Sequence, residues 1–566
     1  MGTTSAADLL VRALEDAGVR VAFGLPGVHS LPVWEALRTS RVRMVGVRHE
    51  QTAAYAADGW ARAGGEVGVA IVTTGPGLAN TAAAVGEAWA SGSPLVVVAT
   101  DVPLALRRAG MVGGALHEAA DQRAMFSGVT KATVRVEEPS DVGHAAAQAL
   151  TAALAAPQGP VLLEIPADVL AAPVDGGEAI SADAPVYAET PDVDAALPHL
   201  LAAERPLIWA GGGALRAGAG PAIGELARRL DAPVLTTYAA RGLLAGHPLL
   251  VELPPHLPEV GDLWDRADLV LAVGSDLDGM TTMNWRLPQP PRLVAVNVDG
   301  ADATKNYRAD AVVTADAVLG CEELLEGLED AGQDPPGAGY ASPACELPGL
   351  ESAWYGDLAA VRAAARRRLR AEHPDELAFL DTMARVVPPD AIVVADMCVA
   401  GYWLAGFHPV PGERRLQYPM GWGTLGYALP AAIGAALASP SRGAVAVCGD
   451  GGFLFACGEL ATIAQERPPL TVVIVDDGGY GMLRYDQRHA GREPSGVDLV
   501  GPDHVALAAS FGLTAERVDG LGDAFGEALG RHIADPRPSV LVARAALTPP
   551  PTTSPRWYRT GPPAWA

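Results

Sequence analysis

Ala444-Val445-Ala446-Val447-Cys448-Gly449-Asp450-Gly451-Gly452-Phe453 and, further on, Thr471-Val472-Val473-Ile474-Val475-Asp476-Asp477-Gly478-Gly479-Tyr480-Gly481 repeat one pattern: a short apolar run, then acids set among glycines. Each apolar run has the length and composition of a buried strand. Residues 458–466 between them carry a helical pattern. The unit therefore reads as βαβ with parallel strands. Both acidic turns then fall at the carboxyl edge of the sheet, where open α/β sheets bind ligands. Two carboxylates beside glycine-opened backbone suit a hard cation such as Mg²⁺, which keeps waters and accepts phosphate oxygens. The glycines let backbone N–H groups approach a diphosphate. A lone Gly-Asp-Gly is an ordinary turn; the spacing and the flanking strands are what point to a site.

The same alternation of strand and helix runs through the chain. Val67 to Val72 and Pro94 to Ala99 are continuous apolar runs, as in parallel sheets covered on both faces. Leu207 to Ala210, Asp268 to Val273 and Leu293 to Val298 repeat the pattern further on. Gly211-Gly212-Gly213, after the first of these, reads as a turn or as a dinucleotide loop. Residues 171–195 and 331–350 are rich in Pro, Gly, Ala and acid and read as linkers. The expected architecture is α/β, three doubly wound parallel-sheet domains at 1–170, 190–330 and 355–550, with a non-helical tail at 551–566. That tail, with Arg556-Trp557-Tyr558, reads either as a lid or as a surface strap.

At 566 residues the chain is too long for one core. Its formal net charge of −25 argues against nucleic acid. The one basic run, Arg366-Arg367-Arg368, reads as a solvated helix face. Five cysteines without a Cys-x-x-Cys pair favour a reducing compartment and no structural zinc. No signal peptide is evident, Ala6 stands where myristoylation wants Ser or Thr, and no apolar run of about 18 residues suggests a membrane span. A cytoplasmic protein without membrane partners is expected.

The first segment holds a second candidate block. Arg48-His49-Glu50-Gln51 follows a strand and opens an Ala-rich helix, with Phe23-Gly24-Leu25-Pro26-Gly27 before it and Thr74-Gly75-Pro76-Gly77-Leu78-Ala79-Asn80 after it. Glu50 alone reads as an acid stabilised at a helix N-terminus. Together with the acidic turns and with Gly421-Trp422-Gly423-Thr424-Leu425-Gly426, these blocks, in this order, resemble the thiamin-diphosphate-dependent acetolactate synthase and 2-oxo acid decarboxylase family. The 24 residues from 452 to 475 match the family's interval between Gly-Asp-Gly and an Asn-Asn pair; here that pair is Asp476-Asp477.

The resemblance implies roles. Glu50 would hydrogen-bond the cofactor's pyrimidine ring and promote the tautomer that removes the thiazolium proton, a task helped by an apolar setting. Asp450, Asp477 and the Gly479 carbonyl would hold Mg²⁺. The Gly423 carbonyl would accept from the pyrimidine amino group, and Leu425 would wedge beneath the bent cofactor. Pro26, Gly27, Thr74 and Asn80 would line the ring half of the site. Cys398, Gly449, Gly451, Gly452, Tyr480, Gly481 and Met482 would line the diphosphate half. In the family the two halves come from different subunits, implying a homodimer or tetramer.

The reaction implied is decarboxylation of a 2-oxo acid through an enamine, releasing an aldehyde. The alternatives are a carboligase that passes the enamine to a second carbonyl compound, and a non-catalytic subunit, which only Asp476-Asp477 favours. Gly27-Val28-His29-Ser30 and Leu116-His117-Glu118 with Asp121-Gln122 look nearest to the 5-guanidino-2-oxopentanoate decarboxylase branch. Val28, Glu118 and Gln122 are the expected substrate residues. Glu118 suits a cationic side chain or, equally, a helix cap or a pair with Arg123. His29 and His117 join Glu50 as candidate catalytic residues, either as polar pocket groups or as the acid that protonates the enamine. No short motif announces FAD, and none is expected.

Overall fold

Runs of β-branched residues build three parallel sheets in the computed structural model, which describes residues 4–175, 190–332, 351–352, 354–554 and 556–564. Most of both linkers, with Cys345, lies outside the described residues. The first sheet orders its strands Arg43–Gly46, Val21–Gly24, Gly68–Val72, Leu95–Asp101, Val161–Pro166, Ala132–Arg135. The third orders them Leu416–Gln417, Ile392–Ala395, Ala444–Gly449, Leu470–Asp476, Ser539–Arg544, Thr514–Asp519. Between them, Val234–Thr236, Pro206–Ala210, Leu269–Val273, Leu293–Asn297 and Ala311–Thr314 form a five-stranded sheet. Every pairing within these sheets is parallel.

With strands counted in chain order within each sheet, the first and third both run 2-1-3-4-6-5, and the middle sheet 2-1-3-4-5. The first and third domains are thus two versions of one topology. In each, the order reverses beside the first strand, and a crevice opens at the carboxyl ends there. This places Pro26 to His29 and Thr74 at one switch point, and Cys398, Gly449 and Asp450 at the other.

Small residues join the two domains. Helix Glu50–Gly64 packs along helix Ala428–Ala438, burying Ala53, Ala54, Ala56, Ala57, Ala431, Ala432 and Ala435 completely. The backbones approach so closely that a Cβ on Gly434 would overlap the Ala56 carbonyl, and one on Gly59 the Ala431 carbonyl. Gly434→Ala should therefore destabilise the fold by about 1–3 kcal/mol, since backbone rather than a movable side chain must give way. Denaturant unfolding measures this; an unchanged midpoint would deny that the contact is tight.

The tail is anchored more firmly than a surface strap. Trp557 is 6% exposed, packs 6.3 Å from the His256 ring and donates to the Thr552 carbonyl. Arg556 pairs with Asp486 at 2.5 Å, on helix Gly481–His489. Arg366 and Arg368 also differ from a simple solvated face. From helix Leu358–Glu372 they reach Glu252 at 3.5 Å and Glu259 at 3.6 Å in the middle domain. Gly211-Gly212-Gly213 opens the six-residue helix Gly212–Ala217, and Gly213 lies against the Gly274 backbone, the close approach that a packed turn requires. No helix among the described residues is long and apolar enough to cross a membrane.

Candidate active site

A cavity of about 250 Å³ opens at the switch point of the third sheet. Its wall contains Cys398, Gly423, Leu425, Gly449, Asp450, Gly451, Gly452, Asp477, Gly479, Tyr480, Gly481 and Met482, so the whole expected diphosphate half converges on one space. The glycines fit because nothing larger would. A Cβ on Gly451 would come 2.8 Å from the Tyr480 ring, and one on Gly449 3.0 Å from Cys398 Cβ. Cys398 caps helix Val399–Phe407, its sulfur accepting from Gly401 N–H at 3.4 Å, and burial pushes its thiol up to about 12. It is an inert wall group rather than a nucleophile.

The two acids stand together. Asp450 is 4% exposed. Burial, and then the charges of Asp477 and Asp476, push the Asp450 carboxyl up to about 6. Asp477 is raised as well, by burial, with Arg484 opposing. Asp477 Oδ1 is buried without a hydrogen-bond partner, the Arg484 guanidinium standing 3.8 Å away. Two crowded carboxylates with an orphaned oxygen form a donor set that fits a divalent cation. Among the described residues no three His, Cys, Asp or Glu side chains converge. Backbone oxygen and the ligand's own phosphates would have to complete the shell.

The other half lies at the edge of the first sheet. Glu50 begins its helix at 8% exposure, and its Oε2 accepts from Asn80 Nδ2 at 2.9 Å. His29 Nδ1 meets Thr74 Oγ1 at 2.7 Å, and Thr74 Oγ1 meets Thr100 Oγ1 at 2.9 Å. Burial, and then His117 with its ring 5.7 Å away, lower the His29 pKa, so the imidazole is neutral at pH 7. His117 sits at φ 69°, a left-handed conformation unusual for this residue. Its carbonyl crowds Gly75, where a Cβ would overlap it.

Two expected substrate residues are committed elsewhere. Gln122 is 1% exposed, donating to the Thr100 carbonyl at 2.8 Å and accepting from Gly75 N–H at 3.0 Å. Both ends of its amide brace the wall beside Gly75. Glu118 Oε2 accepts from Gly114 and Ala115 N–H at 2.7 and 2.9 Å, bonds that lower its pKa. It closes a loop turn, leaving Oε1 without a partner. Arg123 stands instead 3.7 Å from both Asp121 and Glu164. Val28 is 60% exposed.

Three thiamine pyrophosphate enzyme domain models match the chain: the N-terminal TPP binding domain over residues 4–125, the central domain over 193–324 and the C-terminal TPP binding domain over 396–543. A Pseudomonas aeruginosa protein named a probable 2-ketoarginine decarboxylase is 36% identical over 535 residues, covering 92% of this chain and 90% of the relative. The acetolactate synthase large subunit of Corynebacterium glutamicum is 32% identical, covering 90% of this chain and 82% of its own. Acetolactate synthase isozyme 3 large subunit of Escherichia coli is 31% identical, with 90% and 89% covered. The chain belongs to the thiamine pyrophosphate enzyme family. That membership agrees with the resemblance read from the motifs, and with an enzyme built from three α/β domains.

In this thiamine pyrophosphate enzyme one residue of consequence escaped the motif reading. Asp396 is 1% exposed and accepts from the N–H groups of Met397, Gly426 and Tyr427 at 2.8, 3.1 and 3.3 Å. It ties the loop bearing Gly423 and Leu425 to the edge of the sheet, and a Cβ on Gly452 would lie 3.1 Å from its free Oδ2. Burial raises it to about 6 against those donors. The available signal was an acid directly after the apolar strand Ile392–Ala395, the same placement that marks Asp450.

The Asp476-Asp477 pair carries a prediction. Asp477→Asn keeps an oxygen beside the site while removing a charge that repels both Asp450 and a diphosphate. Coulomb interactions between near neighbours of this kind run to about 1–4 kcal/mol before screening. Apparent affinity for thiamin diphosphate with Mg²⁺ is expected to rise several-fold in calorimetric titration. An unchanged or weaker affinity would mean that the second carboxylate is needed as a metal ligand.

Proposed function

We propose that the protein uses thiamin diphosphate and Mg²⁺ to decarboxylate a 2-oxo acid and release an aldehyde. The observation that carries this reading is the single cavity that gathers Asp450, Asp477, Gly423 and Leu425, with Glu50 and Asn80 held as a separate half-site in the same chain. Bound thiamin diphosphate would supply a carbon nucleophile and an electron sink for CO₂ loss. The protein's own tasks are to bind, orient and move protons. Asp450, Asp477 and the Gly479 carbonyl would hold the cation, and the Gly449–Gly452 backbone would receive the diphosphate. Asn80 fixes one Glu50 oxygen and leaves the other to exchange a proton with the pyrimidine ring. His29 is neutral and tethered through Nδ1, so its Nε2 edge is the one able to trade a proton with substrate.

The second copy belongs to the same reading. No residue of the first domain lines the 250 Å³ cavity. Apolar side chains beside both halves are open to solvent in the single chain: Val28 60%, Leu116 69%, Trp422 49% and Leu483 53% exposed. Such surface next to ligand residues favours a symmetric partner that supplies the missing half. The domain limits 1–170, 190–330 and 355–550 are supported by one complete sheet in each. The four described cysteines are free thiols, which supports a reducing, cytoplasmic setting. The reading includes no flavin, and an absorbance band in the visible from the purified protein would overturn that.

The relative named for 2-ketoarginine favours a cationic 2-oxo acid as substrate, while those named acetolactate synthase keep carboligation as the second reading. CO₂ release across pyruvate, 2-oxobutyrate, branched, aromatic and 5-guanidino-2-oxo acids tests both, with products identified by mass. An aldehyde from one acid supports decarboxylation, and a hydroxyketone supports carboligation. Cofactor bound without CO₂ from any acid would refute both.

A further inference from the structure

Helix Gly481–His489 starts just after the second acidic turn, and the side chains of a helix lean back towards its N-terminus. Arg484, near the helix start, accordingly reaches back over Asp477 and Gly479. Its side chain is only 14% exposed. Nη1 donates to the Asp477 carbonyl at 3.0 Å, and a Cβ on Gly479 would come 2.9 Å from Nη2. On the far side Nε donates to Asp498 at 2.8 Å. Tyr480 N–H to the Val497 carbonyl and Leu499 N–H to the Gly478 carbonyl hold the same two stretches together.

The Asp477 carboxylate is short of positive charge. It packs against the helix start, where a Cβ on Gly481 would overlap Oδ2, and the charges of Asp476 and Asp450 lie close to it. Its unpartnered Oδ1 lies 3.8 Å from Arg484 Nη1. That gap is short enough for charge to act and too long for a hydrogen bond. The guanidinium's donors are engaged by the Asp477 carbonyl and by Asp498, so Oδ1 meets the positive charge and stays open to a cation. The Asp498 contact does not account for the placement. That carboxylate is 70% exposed, and exposed ion pairs contribute little.

We propose that Arg484 is a positioning residue of the cofactor site, offsetting the charge that Asp477 would set against a diphosphate, so that a carboxylate can stand there as a metal ligand. The inference rests on the thiamin diphosphate and Mg²⁺ reading above.

A double-mutant cycle on the full chain tests it. Thiamin diphosphate is titrated calorimetrically at saturating Mg²⁺, and the thermal midpoint of the cofactor-free chain is the second readout. Arg484→Met should weaken affinity by about tenfold, the scale of coupling within one charge network. Made together with Asp477→Asn, the same change should cost no more than about twofold, as for independent sites, because an amide needs no counter-charge. Arg484→Lys, which keeps the charge and loses the fork, should recover most of the affinity. Asp498→Asn, which loosens only the outer contact, should bind as the unchanged chain does. The midpoint should follow the same pattern, falling on Arg484→Met and falling less when Asp477→Asn is also present. Equal losses with and without Asp477→Asn would reduce Arg484 to a staple for residues 497–499 and overturn the proposal. So would a loss in Asp498→Asn as large as that in Arg484→Met. An unchanged chain that takes no thiamin diphosphate refutes the cofactor reading instead, and the midpoint cycle alone then decides whether Arg484 offsets Asp477.

Discussion

Glu50→Gln is expected to bind thiamin diphosphate and Mg²⁺ as the unchanged chain does and to lose turnover by about 10²–10⁴-fold, the range for removing a positioned general acid–base. The amide is nearly isosteric and keeps an oxygen for Asn80 Nδ2, the one hydrogen bond the structure gives the Glu50 carboxylate. What disappears is the ability to hold or release a proton at the other oxygen. Fold and cofactor retention are read by circular dichroism and titration, turnover by CO₂ release, and carbon activation by exchange of the cofactor's thiazolium proton. Slow exchange with intact binding is the expected signature. Wild-type exchange in the variant would remove Glu50 from the chemistry, whatever happened to turnover.

The half-site around Glu50 was legible because local sequence determines most of it. An apolar strand, an acid and an Ala-rich helix follow one another within residues 43–64, and the structure keeps that order as Arg43–Gly46 and Glu50–Gly64. The acidic turns were legible for the same reason. Strand runs buried on both faces are continuous in sequence, and ligand residues follow each run at the carboxyl edge. Asp396 obeyed that rule without a flanking glycine to draw attention to it. The partners of Gln122 and Glu118, the Thr100 carbonyl and the N–H groups at Gly114 and Ala115, are set instead by how a loop folds back. No periodicity encodes such a fold-back.

Asp450→Ala should lose Mg²⁺ and thiamin diphosphate together, with apparent affinity falling by more than about 100-fold; outer partners of metal ligands alone are worth about 10–100-fold. Its pH counterpart follows from the direction of the shift. Burial and the neighbouring acids hold Asp450 near 6, above the ~3.9 of a carboxyl in unfolded chain. Between those values the cofactor-free fold binds a proton that the unfolded chain has released, so its stability falls as pH rises through that window. A bound cation takes the place of that proton. Affinity should therefore strengthen by about tenfold per pH unit as pH rises towards 6 and level off above it, one proton being displaced. Asp450→Asn, which cannot titrate, should bind weakly at every pH, without that slope. Titration of the full chain with Mg²⁺ and thiamin diphosphate between pH 5 and 8 distinguishes the cases. Retained affinity in Asp450→Ala would move the metal elsewhere. A flat profile in the unchanged chain would mean that Asp450 is already ionised before the cation arrives, and that Asp476 and Asp477 do not crowd it as the structure implies.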